Sequence, residues 1–589
     1  MYVSVIVGCL SGAISASVRP CCAGCTMLSK TKRPYDADEL PAERRLRRNI
    51  VDLFGRNQLS GSRTSGLLRD AALAGAPGCS ELVSAASSSD LPHGARTLCR
   101  RLLKWSLWPD VYMAEISVLD FRTGRFAKAP VSFLLPHEVL AALCRSCSLD
   151  ALMAKDRLDR NTAAHLRACE EAIGGQLLGL GLWGDGVPCN WDRSDSLQVF
   201  ALNLPGLPPP WHTLRIPLTG FSKKHFAGKQ TYDDLMAVFA WSFQHLAAGT
   251  WPVTRHDGSP WTLADVKRKK QAGSTLPLRA ALVEIRGDWA FMKETFGLPA
   301  WNELGGLCWL CSCTPAELRQ TSSQAPWRQD RLDLHQVLAR MLQRGVTISP
   351  IFAVPWLSNK VFRPDWLHCA DHGVSADYLG NFFSYLMDAK MPGANRKERC
   401  MRLWSLVQQY YSQRNIEDRL QNLLPTMLSK PGQPPKLRCS AAQCRALVPC
   451  AAELARAYCQ DDVPMEQSMK SAAEELNQCY IALSSSVADW ADALAVHSRR
   501  FAAQCVALET AMQQQGDHVS WRVKPKMHMF LELCSDGSQP SLFWTYRDED
   551  FGGTCAHLAR RRGGLMRPGA TSGSLLRRFR ILQPPPRIV

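Results

Sequence analysis

The order of four strand-like runs constrains the fold of this chain more than any other feature. Three runs come in succession, and the first of them ends at Asp185. A helical stretch and a fourth run follow, and the fourth run ends at Asp288. Apolar or alternating runs of this length, bounded by turn residues, are typical of strands. We expect a mixed sheet with strands near 179–184, 196–204, 212–218 and 281–287.

The helical stretch between the third and fourth runs has recognisable ends. Thr231 suits an N-cap position, and Gly249 suits the C-terminal end. Side chains at spacings of three and four form one largely apolar stripe, which is the face that a helix packs against a sheet. The stripe consists of Leu235, Val238, Phe239, Ser242 and Leu246. We therefore predict a helix over 231–248 and an α/β (α+β) fold class.

Composition suggests how the rest of the chain is organised. The first 90 residues are rich in Ser, Gly and Ala. The sequence beyond the fourth strand has a pattern that predicts helix almost throughout. The last thirty residues are basic and rich in Gly and Pro. We expect a basic arm at 1–90 that is disordered or loosely helical, with a short basic helix near 41–48. A helical and hairpin domain at 91–175 should follow, then the first part of the sheet core at 176–316, a large helical insertion at 317–518, a return to the core at 519–560 and a flexible basic tail at 561–589.

Charge and cysteine content limit the partners and the compartment. The formal net charge is +17, which favours a polyanionic partner such as nucleic acid, although many basic proteins are basic for other reasons. The 23 cysteines are scattered mostly as single residues, as in an intracellular, reducing compartment. The apolar start could pass for a signal peptide, but it lacks a basic n-region. No run is long enough to span a membrane, and no P-loop, HExxH, GxSxG or GxGxxG motif occurs in the expected context.

The two acids that follow strands suggest a site for divalent metal ions. Phosphodiester transfer by two divalent ions needs carboxylates that converge at one end of a sheet, and Mg²⁺ prefers such hard oxygen ligands. Asp185 and Asp288 would supply the first two, with Asp192 and Asp195 as rivals for the first position. A third carboxylate normally comes from a helix packed against the same end. A single Asp at a strand end is more often an ordinary turn residue, so the ordered combination carries the prediction.

Several short motifs give the chain a family resemblance. They are Gly184-Asp185-Gly186, Gly287-Asp288-Trp289, Cys308-Trp-Leu-Cys311, Pro364-Asp365-Trp-Leu-His368, Lys524-Pro-Lys-Met-His528 and the segment around Glu549 that ends in Gly552-Gly553. With them the chain resembles transposases of the CACTA and Plavaka type and, more distantly, hAT transposases and the vertebrate V(D)J recombinase. It is also similar to transposon-derived reading frames of dinoflagellate genomes. The resemblance spans roughly residues 176–560.

The resemblance implies a fold, a site and a reaction. The fold would be an RNase H-like mixed sheet interrupted by a mostly helical insertion, in a nuclear protein that binds DNA and acts as a homo-oligomer. Asp185, Asp288 and Glu549 would hold Mg²⁺ or Mn²⁺ for DNA strand cleavage and transfer. The glycine pair after Glu549 is unusual for the helix that normally carries the third acid. Asp548, Asp550 and Glu532 therefore remain alternatives.

The CxxC pair is half of a zinc site. Tetrahedral Zn²⁺ needs two more ligands beyond Cys308 and Cys311, and the resemblance implies that histidines near the third acid supply them. His528 is the first choice, with Glu532 or Cys534 as a possible fourth ligand. The alternatives are His368 with His372, Cys313 in place of either cysteine, and a reduced CxxC without metal. Two further CxxC pairs, Cys22-x-x-Cys25 and Cys144-x-x-Cys147, have no partner ligands nearby in the sequence, and we assign them to packing.

Three functions remain open at this stage. The first is an active DDE-type transposase. The second is a catalytically inactive, domesticated relative that keeps the fold as a DNA-binding or scaffold protein. The third is an unrelated helical interaction protein, in which Asp185 and Asp288 would lie far apart.

Overall fold

The computed structural model of this chain describes residues 42–56, 58–76, 78–86, 91–120, 123–189, 195–484, 490–535, 537–560 and 568–588. Within these ranges the protein combines many helices with a two-stranded and a four-stranded sheet. The α/β (α+β) prediction is therefore confirmed. No helix in these ranges is both long enough and apolar enough to cross a lipid bilayer.

The first four helices form a small bundle with its own apolar core. They are α1 (Ala42–Gly55), α2 (Gly61–Leu73), α3 (Cys79–Ala86) and α4 (Leu91–Lys104). Leu68, Leu82 and Leu98 are completely buried in this core. Of the two alternatives expected for 1–90, the structure has helix rather than disorder in this part, and α1 includes most of the basic helix expected near 41–48. The helices are packed rather than loose, because the few apolar residues of each helix meet those of its neighbours. Residues 1–41 lie outside the described residues.

A hairpin and three helices precede the main sheet. Strands β1 (Tyr112–Asp120) and β2 (Arg125–Phe133) pair antiparallel, with Tyr112 opposite Phe133. The helices that follow are α5 (Pro136–Cys144), α6 (Leu149–Leu152) and α7 (Arg160–Ile173).

The main sheet has the strand order β5-β4-β3-β6. The first three strands in the chain pair antiparallel, whereas the fourth pairs parallel with the first. The predicted strands are confirmed with small changes in their ends. Their bounds and those of the intervening helices are β3 (Leu178–Pro188), β4 (Ser196–Asn203), β5 (Arg215–Ser222), α8 (Lys229–Ala248), α9 (Val266–Gln271) and β6 (Ala280–Arg286).

Helix α8 packs on the sheet as its apolar stripe predicts, but its N-terminus differs from the prediction. The N-cap is Gly228, not Thr231. The Thr231 hydroxyl instead accepts a hydrogen bond from the backbone N–H of Ala227 and donates one to the carbonyl of Ser117 on β1. Thr231 thus ties the helix start to the hairpin.

A large helical region follows β6. Its α-helices are α10 (Trp289–Phe291), α11 (Pro326–Gln329), α12 (Leu334–Gln343), α13 (Ala376–Tyr385), α14 (Arg396–Arg414), α15 (Pro425–Leu428), α16 (Ala441–Tyr458), α17 (Pro464–Ser484) and α18 (Trp490–Gln514). Wider π-helical turns occupy Met292–Phe296, Leu367–Ser375 and Leu386–Lys390. Just before the second of these, Phe362 forms a parallel bridge with Ile285 of β6. Phe362 therefore adds a single bridge to the sheet beside β6.

Three C-terminal helices complete the protein. They are α19 (Pro525–Leu533), α20 (Tyr546–Ala559) and α21 (Ala570–Leu582). Helix α20 lies against β3, and α21 lies against β5 and β2. The prediction of a flexible tail at 561–589 is wrong for α21, because Leu575, Leu576 and Phe579 are buried on one face of that helix. Residues 561–567 and 589 lie outside the described residues.

Candidate metal centres

Asp185 and Asp288 reach the same edge of the main sheet. Strands β3 and β6 run parallel, and Trp183 is the register partner of Arg286. Asp185 lies two residues after Trp183, and Asp288 lies two residues after Arg286. Both carboxylates are therefore at the carboxyl end of β6. The Asp288 carboxylate also accepts a hydrogen bond of 2.6 Å from the backbone N–H of Phe291, which fixes it at the start of α10.

The electrostatics of Asp288 indicate that the two acids are close. Burial raises the pKa of Asp288, and the negative charge of Asp185 raises it further. A hydrogen bond from Phe291 and the positive charges of His368 and Lys223 act in the opposite direction. Like charges raise each other's proton affinity only when they lie near one another in a poorly solvated place. A shared divalent cation would relieve this repulsion.

Glu549 joins these two acids from α20. Its carboxyl group lies close to that of Asp185, and burial, followed by the charge of Asp185, raises the pKa of Glu549 well above its usual range. Close carboxylates repel each other, and a bound cation would offset that repulsion. Asp185, Asp288 and Glu549 are thus brought together, each from a different element.

The first of the two glycines after Glu549 has a packing role. Helix α20 continues through Gly552 and Gly553 to Ala559. A Cβ atom on Gly552 would lie 2.8 Å from both Trp183 and Val187 of β3. The missing side chain therefore allows α20 to approach β3 closely enough for Glu549 to reach Asp185.

The rival acids lie elsewhere or have other partners. Asp195 is buried and accepts hydrogen bonds of 2.8 Å from the Ser222 hydroxyl at both carboxylate oxygens. Asp550 is exposed, and Glu532 belongs to a second cluster. Asp192 lies outside the described residues.

Asp548 anchors α20 rather than joining the acids. It is fully buried and forms a two-pronged ion pair with Arg215 of β5, with one nitrogen–oxygen distance of 3.2 Å. Arg286 of β6 lies 3.7 Å from the same carboxylate and also binds Glu284 at 2.8 Å. The network holds α20 against two strands, one residue before Glu549.

Asp548→Ala is expected to destabilise the protein by about 3–5 kcal/mol, because it leaves Arg215 and Arg286 buried with a lost counter-charge. Urea unfolding followed by circular dichroism measures the effect. Asp550→Ala is the matched control, since this neighbouring side chain is exposed and its loss is expected to change stability by less than about 0.5 kcal/mol. Equal stability of the two variants would contradict an anchoring role for Asp548.

His368 is at the acid site, so its assignment as a zinc ligand is wrong. Its Nδ1 donates to Asp365 over 2.6 Å, and its charge interacts with Asp288 and Asp185. The position follows from the bridge between Phe362 and Ile285, which starts the helix carrying His368 beside β6. The motif Pro364-Asp365-Trp-Leu-His368 was the sequence signal for this pair. His372, on the same π-helical segment, is likewise absent from the zinc-type cluster.

A second cluster joins the CxxC segment to α19. Cys308, Cys311, His528 and Glu532 are all buried, and one potential ligand atom of each lies within 4.8 Å of the others. The Sγ of Cys311 is 3.4 Å from Nε2 of His528, which is 3.5 Å from Oε1 of Glu532. Metal–ligand bonds of 2.0–2.3 Å in a tetrahedron separate ligand atoms by about 3.3–3.8 Å, so two thiols, an imidazole and a carboxylate at these distances fit a zinc ion.

Charge is shared within this cluster. Burial alone would raise the pKa of Cys308, but a hydrogen bond from Cys311 and the charge of His528 lower it below its usual range. The pKa of His528 rises to about 10, because the thiolate of Cys308 outweighs the effect of burial. Arg331 forms an ion pair with Glu532, with Nη1 2.8 Å from Oε1. A thiolate is the form that binds metal, and a zinc ion bound here would replace the proton that His528 otherwise carries.

The other proposed ligands do not complete this cluster. Cys534 is buried and interacts with the side chain of Ser498. The Cys313 thiol donates to the backbone carbonyl of Thr314, and Cys313 is not one of the four grouped donors. Glu532 is therefore the fourth donor that the geometry favours.

Comparison with known proteins adds no relative. No protein-family model matches the chain, and no curated protein is significantly similar to it.

Proposed function

We propose that this protein is a transposon-derived DDE-type transposase that cleaves and joins DNA strands with divalent cations. The observation that carries the proposal is the convergence of Asp185, Asp288 and Glu549, in which the charge of Asp185 raises the pKa of both other acids. Three carboxylates held together against their mutual repulsion are what a two-cation phosphoryl-transfer site requires. The third acid comes from a helix that returns to the sheet after a long helical insertion.

The proposed fold is RNase H-like. Three antiparallel strands, a helix and a fourth strand parallel to the first agree with the connectivity expected for that core. Helix α20 lies on β3 after some 260 residues of mainly helical chain, as the proposal requires.

The acids would divide the work of holding the cations. Bound Mg²⁺ or Mn²⁺ would activate a water or 3′-hydroxyl and stabilise the leaving oxygen. The charge of Asp185 acts on both other acids, so its carboxylate would be suited to hold cations together with each of them. Glu549 must release its proton before it can bind a cation, so metal binding is coupled to proton release at this side chain.

The second cluster is proposed as a structural zinc site. Cys308, Cys311, His528 and Glu532 together provide four protein donors, which leaves no open coordination position for a substrate. The site would fasten α19 to the segment that follows β6, and α19 precedes the helix that carries Glu549.

DNA is the proposed partner, and the nucleus is the proposed location. The formal net charge of +17 supports this choice. A homo-oligomer belongs to the proposal, since joining two element ends requires two active sites.

The test is nicking of supercoiled plasmid with Mg²⁺ or Mn²⁺, together with DNA binding at rising salt. We expect nicking that chelation of the cation abolishes, and affinity that falls about 10³-fold or more between low and moderate salt if six or more phosphates are contacted. Binding without nicking on any tested DNA would favour the inactive, domesticated alternative. A chain that does neither would contradict both functions.

A further inference from the structure

Lys223 lies against the residue that follows Asp185. It is the first residue after β5, and its side chain passes the start of β4 to reach Gly186 of β3. A Cβ atom on Gly186 would lie 2.9 Å from Cε and 3.0 Å from Nζ of this lysine. The backbone N–H of Gly186 also donates to the Asp185 carboxylate over 2.6 Å. Gly186 therefore lies beside both the ammonium group and the first acid.

The alternation of β3 places the lysine and the third acid on opposite faces of the sheet. Successive side chains of a strand point to opposite faces. Helix α20 packs on Trp183 and Val187, so the side chain of Asp185 shares the face that meets α20. Gly186 belongs to the other face, together with its register partner Gln198 on β4. A ligand of the lysine would thus lie beside the group that the three acids hold, and would not be that group itself.

Three further polar side chains form a cluster with the ammonium group. Nζ of Lys223 donates to Oε2 of Glu294 over 3.1 Å, and the two side chains are 35% and 47% exposed. The Tyr232 hydroxyl lies 3.1 Å from the same oxygen and 3.3 Å from Oε1 of Gln198. Gln198 is buried, and its Nε2 has no hydrogen-bond partner in the part of the chain that the structure describes. The cluster therefore keeps one donor without an acceptor, close to a lysine whose only ion pair is partly exposed.

An anionic oxygen is the ligand that suits these groups. An ammonium group has three N–H donors, and Glu294 accepts from only one of those of Lys223. An ion pair this exposed is weak because water screens it, so a phosphate can draw the lysine away from Glu294. The Tyr232 hydroxyl can still donate to Glu294 after the lysine has moved, which keeps that carboxylate hydrogen-bonded.

We propose that Lys223 is a substrate-contacting residue whose ammonium group binds a non-bridging oxygen of the DNA phosphate next to the one held at the three acids. Glu294 is a positioning residue, because it holds the lysine beside the site until DNA binds. The inference rests on the proposed function and adds to it a phosphate contact outside the cation centre. Contacts of this kind fix the register of DNA on a protein, so Lys223 would help to select the phosphate that reaches the cations.

Two substitutions and one control isolate this contact. Lys223→Gln removes the charge and keeps most of the length of the side chain. Glu294→Gln leaves the ammonium group without its counter-ion, so DNA should bind more tightly, and this gain should disappear when Lys223→Gln is also present. The matched control is Lys224→Gln, because this adjacent lysine is exposed and the change in charge is the same.

The measurement is the affinity for a short DNA duplex at several salt concentrations, in Ca²⁺ and in a chelator, with thermal unfolding of each variant. We expect Lys223→Gln to unfold like the wild type. In Ca²⁺ it should bind about tenfold more weakly at about 0.1 M salt, with a salt slope smaller by about 0.9. In the chelator the loss should be small, because no cation holds the neighbouring phosphate at the acids. Lys224→Gln should change the affinity by the same small factor in both conditions.

The outcomes separate this contact from the proposed function. Tighter DNA binding by the wild type in Ca²⁺, with equal affinities of Lys223→Gln and Lys224→Gln, overturns the contact and leaves the function standing. An equal loss for Lys223→Gln in Ca²⁺ and in the chelator also overturns it, since the lysine would then act as a general surface charge. Wild-type binding that Ca²⁺ does not strengthen removes the cation site and the contact together, as does a wild-type protein that does not bind DNA.

Discussion

Asp185→Asn and Asp288→Asn are each expected to lower metal-dependent DNA cleavage by about 10³-fold or more. The physical reason is the loss of a charged cation ligand with almost no change in shape. A catalytic cation stabilises the transition state by several kcal/mol, and each 1.4 kcal/mol corresponds to about a factor of ten in rate. Cleavage rates at saturating Mn²⁺ measure the effect. Glu549→Gln is expected to behave in the same way.

DNA affinity should remain close to that of the wild type in all three variants, because it arises from Lys and Arg contacts to phosphate. Asp550→Asn is the matched control for Glu549→Gln, since it removes an exposed charge from the adjacent position of α20. This control should cleave at the wild-type rate. Retention of cleavage in Asp185→Asn would show that the three acids are not the catalytic centre.

The sequence was sufficient to predict the main sheet and two of its acids, because that information is local. Each strand is an apolar run of suitable length, and Asp185 and Asp288 directly follow such runs. Two apolar runs that are each followed by an acid can be recognised without knowledge of the rest of the fold, although β3 continues past Asp185 to Pro188. The position of Glu549 is different, because its helix reaches β3 only through the contact at Gly552. Glu549 was predicted from the family resemblance and not from the local residue pattern.

His368 illustrates why local spacing can mislead. His368 and His372 are four residues apart, which suggested two ligands on one helical face. The segment is instead a π-helical stretch, and its location is set by the bridge between Phe362 and Ile285, residues far apart in sequence. Such non-local contacts leave no periodicity in the sequence.

The two terminal regions were mispredicted for a related reason. Composition rich in Ser, Gly and Ala was interpreted as disorder, although α1 to α4 share an apolar core. Helix α21 is basic and lies between Gly- and Pro-rich segments, but its apolar face packs on β5 and β2. The apolar residues of each short helix are too few to signal burial alone, and they become a core only when several helices meet.

Removal of the metal from the Cys308–Cys311–His528–Glu532 cluster is expected to produce the largest loss of stability. Purified protein should contain one zinc ion per chain, and chelation or Cys308→Ser should lower the thermal midpoint strongly. The site joins residues 217 positions apart in the chain, and structural zinc sites stabilise small folds by about 10 kcal/mol or more. In this larger protein other contacts also hold α19, so we expect the free energy of unfolding to fall by several kcal/mol.

The second CxxC pair provides the control for this experiment. Cys144 and Cys147 are half-buried, and the thiol of Cys147 donates to the backbone carbonyl of Pro586. Cys144→Ser should therefore leave the zinc content unchanged. Glu532→Gln should weaken zinc binding without eliminating it, because a neutral amide oxygen is a poorer ligand than a carboxylate. Zinc-free wild-type protein, with a Cys308→Ser variant of unchanged stability, would show that the cluster is a thiolate–imidazolium pair. Loss of zinc on chelation should also move α19, and with it the helix that presents Glu549, so cleavage and zinc content should fall together.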